Sequence, residues 1–136
     1  MSDKELLSNE EEILRKLICA KDDIPKKTVL VKRIDVAFTL RALKSTEIFQ
    51  IRERCTYRNE RKGIEKFNDE DFFALLVTTA TVNPDLKNKK LLEAYSAITS
   101  EEVIKKILLP GELLELADIV LNLSGWDSEV TEIKNL

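Results

Sequence analysis

The chain has 136 residues, 43% of them hydrophobic and 35% charged, with a formal net charge of −3. That length bounds a single domain with its own core, and that balance excludes a fully disordered chain. The acidic net charge argues against a general nucleic-acid binder, and no apolar run approaches the roughly 18 residues that read as a membrane span.

No histidine occurs. This removes the commonest general base, the commonest metal ligand, and the Ser-His and Cys-His nucleophile systems together. The three glycines stand apart, so no glycine-rich phosphate loop is present. Cys19 and Cys55 fall in helical apolar patterns and read as small hydrophobes. The opening MSDKELLSNEEEILRK is acidic and amphipathic, without the basic start and apolar centre of a signal peptide. No cofactor, metal site or catalytic set is expected.

In chain order, the first predicted element is an amphipathic helix over about residues 3–20. Leu6, Leu7, Ile13, Leu14, Leu17 and Ile18 share one face. Ser8 and Glu11 stand in capping-box register, so the helix starts at Ser2 or at Ser8. Pro25 stops it. TVLVKRIDVAFTLRAL then has period two and many β-branched residues. It predicts a hairpin of strands 28–33 and 36–42 turning near Ile34 and Asp35, with one long bent strand as the alternative.

KSTEIFQIRERCTYR predicts a helix over 46–57, and NERKGIEK a polar loop containing Gly63. NDEDFFALLVTTATV predicts a helix capped by Asn68, with Asp69, Glu70 and Asp71 in its first turn. It is apolar almost all round and should be central. After the turn NPDLKNKK comes a shorter helix through Leu91, Leu92 and Tyr95. The next begins at Thr99 with Glu102 in capping-box register, and buries Val103, Ile104, Ile107 and Leu108. Pro110 and Gly111 then open a last helix, with Glu112 near its positive end and Gly125 at its close. Trp126, Val130 and Ile133 lie in a polar tail.

The fold class is therefore mainly α (α+β): an N-terminal helix and short β-hairpin followed by a bundle of about five helices. One domain covers 1–136, divided into an N-terminal helical segment (1–24), a core (28–127) and a tail (128–136).

Acidic runs such as NEEE and NDED read as helix starts and solvated faces rather than as a carboxylate Mg²⁺ site. The one basic concentration is IRERCTYRNERKGIEK, where Arg52, Arg54, Arg58, Arg61, Lys62 and Lys66 outnumber the glutamates beside Tyr57. It reads first as a solvated face with ion pairs, and alternatively as a nucleic-acid contact of a small regulator through Arg52–Lys66.

Three blocks carry a resemblance. FTLRALKSTEIFQIRERCT, FNDEDFFALLVTTATVNPDLKNKKLLEAYSAIT and SEEVIKKILLPGELLELADIVLNLSGW follow one another in order. In the last, Leu108, Gly111 and Glu112 form a Leu-x-x-Gly-Glu turn, and Gly125-Trp126 ends the helix. The chain resembles, over about residues 30–127, the XkdN-like phage tail assembly chaperones of phages and prophages of Gram-positive bacteria. Members of that family tend to have a Gly-containing hairpin turn, where this chain has KRIDV.

The resemblance implies a non-enzymatic role in the bacterial host cytoplasm. Such chaperones bind the tape measure protein, a long helical apolar chain, and keep it soluble until tail tube protein polymerises around it. They are absent from the finished virion. The partners implied are the tape measure protein and the tail tube protein. Self-association is a further expectation; membrane and nucleic acid are not expected partners. The two C-terminal helices and the tail carry more apolar residues than a small core needs. The partner-binding residues expected there are Leu113, Leu116, Val120, Trp126, Val130 and Ile133.

Overall fold

The computed structural model describes residues 9–59 and 61–126. The expected Ser2 and Ser8 helix starts and the tail residues Val130 and Ile133 lie outside them. The first helix described, α1, is Glu10–Cys19, followed by a 3-10 turn at Ala20–Asp22. Its cap is Asn9, whose side-chain oxygen accepts the Glu12 N–H at 3.3 Å. Asn at this position satisfies a free N–H of the first turn as Ser would. No residue of α1 is buried.

Strands β1 (Lys26–Val31) and β2 (Val36–Arg41) pair antiparallel, with Val31 opposite Val36 and Thr28 opposite Thr39. The hairpin expected at 28–33 and 36–42 is thus present, and it begins two residues earlier. Its turn needs no glycine because Asp35 takes the left-handed region (φ +54°), which Asp tolerates better than most residues.

Helix α2 (Ser45–Arg54) ends earlier than expected. Thr56 donates its hydroxyl to the Arg52 carbonyl at 2.9 Å. The segment expected as the end of a helix and a loop is instead a second hairpin, β3 (Thr56–Asn59) with β4 (Ile64–Phe67). Gly63, at φ +63°, supplies its turn. The Asn68 N–H donates to the Cys55 carbonyl at 2.9 Å and closes the base of this hairpin. β-Branched and aromatic residues at Thr56, Tyr57 and Phe67 favour strands; the dense charge between them hides the period.

Helix α3 (Asp69–Ala80) is capped by Asn68, whose oxygen accepts the Asp71 N–H at 3.0 Å. It is central, as expected. Ala74, Leu75, Leu76, Val77 and Ala80 are buried, and α3 packs against α2, β2 and both later long helices. At its end the chain passes directly into β5 (Thr81–Asn83), an unexpected third strand. It pairs with β2 and gives the order β1-β2-β5.

Three further helices follow among the described residues: α4 (Lys89–Ala94), α5 (Ser100–Ile107) and α6 (Pro110–Leu123). The Thr99 hydroxyl caps α5 by accepting the Glu102 N–H at 3.3 Å, while the Glu102 carboxylate accepts from the Ile98 N–H, one residue beyond the usual capping-box position. Helix α6 ends in two reverse bonds, Trp126 N–H to Leu121 carbonyl at 3.2 Å and Gly125 N–H to Asn122 carbonyl at 3.1 Å. Gly125 sits at φ +92°, so this is a Schellman closure in which glycine avoids a Cβ clash.

The core joins Phe38 and Leu40 of β2 to Ile51, Cys55, Leu76, Val77, Ile104, Leu116 and Val120. Among the described residues no buried side-chain polar atom lacks a partner.

Candidate functional site

The apolar excess of α6 divides by rotation around one helix. Leu113, Leu116, Ala117 and Val120 face α3 and the sheet and are buried. Leu114, one residue on from Leu113, points away and is 52% exposed. Of the residues expected to meet a partner, Leu113, Leu116 and Val120 are therefore buried core residues. Trp126 is 64% exposed.

Leu114 does not stand alone. It lines two adjoining hollows with Phe73 of α3. One, of about 420 Å³, also has Leu108, Pro110 and Leu113 in its walls. The other, of about 390 Å³, runs on to Leu121. Together they form a shallow apolar groove along the α3–α6 seam. Its rim carries Glu70, Glu115 and Asp118, with Lys105 at one end. Lys105 is held by the Asp71 carboxylate, which also accepts from the Tyr57 hydroxyl at 3.3 Å. Burial pulls the Lys105 ammonium down, but the hydrogen bond and charge of Asp71 outweigh it and leave it above the ordinary lysine value. The negative charge of Asp71 likewise raises the Tyr57 phenol.

The angle between the groove's two walls is set at the Leu109-Pro110-Gly111 joint. Pro110 occupies the first position of α6, where its missing N–H leaves no bond unmade. Glu112 accepts the Leu109 N–H at 2.8 Å. The same carboxylate takes Arg33 of the β1–β2 turn at 2.8 and 3.1 Å, and Arg33 also donates to the Ile107 carbonyl at 2.6 Å. The hydrogen bond from Arg33 holds the Glu112 carboxyl below the ordinary glutamate value. At the far end of α6, the Ser124 hydroxyl accepts the Leu43 N–H at 2.8 Å and donates to the Val120 carbonyl at 2.7 Å. Helix α6 is thus fastened at one end to the β1–β2 turn and at the other to the segment after β2, and the groove between them is open.

The basic concentration maps to the β3–β4 hairpin and the end of α2. Arg58 faces Glu65 across the hairpin at 3.1 Å, and Arg54 reaches Glu101 of α5 at 3.3 Å. Among the described residues no group of three or more His, Cys, Asp or Glu is arranged to hold a metal ion, and no helix is long and apolar enough to cross a membrane.

The described residues form a small α+β domain in which buried polar side-chain atoms are partnered and an apolar groove lies open along the α3–α6 seam. Residues 9–136 match the family model described as phage XkdN-like tail assembly chaperone protein, and the chain belongs to that family. Two relatives come from Bacillus subtilis (strain 168). The protein YqbN is 27% identical over 103 residues, covering 73% of this chain and 69% of its own length. The phage-like element PBSX protein XkdN is 25% identical over 115 residues, covering 82% of this chain and 78% of its own. The crystal structure of the protein YqbN superimposes with a TM-score of 0.56 at 23% identity, over 77% of this chain and 88% of that one. That likeness is one of fold.

Proposed function

We propose that this tail assembly chaperone works by binding the tape measure protein and holding it soluble in the host cytoplasm while the tail tube is assembled. It acts without chemistry of its own and is released before the particle is finished. Membership of the family supports the general role. The observation that carries the specific one is the α3–α6 groove, where exposed Leu114 continues an apolar surface bounded by Phe73 and Leu121.

A groove of this kind takes the apolar stripe of an amphipathic helix. The carboxylates of Glu70, Glu115 and Asp118 favour a helix whose stripe is flanked by lysine or arginine. A tape measure protein offers many such stripes in series, so each contact can be weak while the assembly holds. Tail tube subunits then displace the chaperone by competing for the same stripes.

Co-expression with tape measure fragments tests the reading. The expected outcome is a soluble complex that dissociates when tube protein is added. A tape measure chain that stays as insoluble with the chaperone as without it overturns the proposal.

A further inference from the structure

Helix α1 presents an apolar face that is exposed among the described residues. Leu14, Leu17 and Ile18 are exposed, Leu17 by 65%, and Ile13 is half-buried beside them. A ten-residue helix is marginal in water when nothing covers its apolar stripe. The question is what covers it.

The charges along the stripe answer. Glu10 lies seven positions before Leu17, and Lys21 lies seven positions after Leu14. Seven residues are two helical turns, so both charges sit on the line of the stripe, one at each end. Both are exposed, and neither belongs to an ion pair within the chain among those the structure defines.

Two copies laid antiparallel with Leu14 opposite Leu17 also bring Ile13 opposite Ile18 and Glu10 opposite Lys21. All three pairings follow from a single two-fold axis between residues 15 and 16. A parallel pair would instead set Glu10 against Glu10 and Lys21 against Lys21. The stripe is therefore complementary to itself in one direction only, which is the condition for an isologous dimer.

We propose that α1 is a self-association arm, through which two copies of this chain pair antiparallel by Ile13, Leu14, Leu17 and Ile18, closed at each end by Glu10 and Lys21. This inference is independent of the α3–α6 groove. It leaves that groove open on each copy, so the dimer is bivalent toward any partner that fills it.

Sedimentation equilibrium of the full chain, from about 10 µM to about 1 mM, is the first measurement. The expected result is a monomer–dimer equilibrium, weakened at least about tenfold by the double variant Leu14→Asp, Leu17→Asp. Because no residue of α1 is buried, that variant should melt with the same midpoint for the core. Orientation is read separately in a Cys19→Ser background. There, Glu10→Cys mixed with Lys21→Cys should cross-link faster with a short thiol reagent than either variant does with itself. A wild-type chain that is monomeric throughout, a dimer indifferent to the double variant, or cross-linking in which like pairs lead, each overturns the proposal.

Discussion

Arg33 grips Glu112 with both its Nε and a terminal nitrogen, and the same guanidinium holds the Ile107 carbonyl. One side chain from the hairpin turn thus touches the last turn of α5 and the first turn of α6. The Pro110 joint is clamped from outside as well as set by its own backbone. A bidentate arginine fixes direction as well as distance, so this contact holds the slope of the groove wall.

The clamp makes stability depend on acid in a definite direction. The carboxyls of Glu112 and Glu47 both lie below the ordinary value of 4.5, chiefly because Arg33 and Arg41 hydrogen-bond to them. A depressed folded-state value contributes stability that is present above the unfolded value and lost as pH falls through the folded one. The melting midpoint should therefore drop as pH falls below about 4.5. It should drop less steeply in Glu112→Gln and Glu47→Gln than in the wild type. Parallel pH curves for all three proteins would contradict this.

Burial separates two leucines that look alike in sequence. Leu76 is fully buried in α3, and Leu76→Ala should cost about 2–5 kcal/mol by denaturant titration. Leu114→Asp alters an exposed position and should stay within about 0.5 kcal/mol of wild type. The same variant should lose the tape measure fragment in a pull-down.

Gly111 and Gly125 should respond oppositely to alanine. A Cβ at Gly111 meets nothing within 4 Å and its φ is ordinary, so Gly111→Ala should stabilise α6 by about 0.5–1 kcal/mol. Gly125 sits at φ +92°, and Gly125→Ala should cost about 1–2 kcal/mol. Thermal melts of the two variants decide it. If Gly111→Ala folds well but fails to bind, the glycine serves a partner's close approach rather than the turn.

Ser124 ties α6 to the strand side of the core. Ser124→Ala leaves the part-buried Leu43 N–H without its acceptor and should cost about 1–3 kcal/mol. Hydrogen exchange at Leu43 should quicken in that variant; unchanged protection there would show that another group replaces the hydroxyl.

Much of this fold is legible in the chain where local chemistry agrees with packing. Asn68, Thr99, Pro110 and Gly125 mark the ends of α3, α5 and α6, and the helices stand where those signals place them. Three strands are not legible. In β3 and β4 the charged residues needed at a solvated hairpin also suit a helix face, and only Gly63 hints at the turn. Strand β5 is three residues long and continues a helix without a break. Its partner Leu40 lies some forty residues earlier, and nothing local announces a long-range pairing. The groove was legible as composition and not as position. Periodicity counts Leu113 and Leu114 alike, and a rotation of one residue decides which is core and which is surface. The clamp between Arg33 and Glu112 carries no sequence signal, since it joins residues 79 positions apart.

Among the described residues, β1 and β5 are the edges of the small sheet. Unpaired edges recruit other strands. Here β1 begins with Lys26 and Lys27, and β5 stops after three residues at Pro84. Charge on one edge and brevity with proline on the other discourage strand addition. Each edge is thus a poor template for a strand from another copy or another chain.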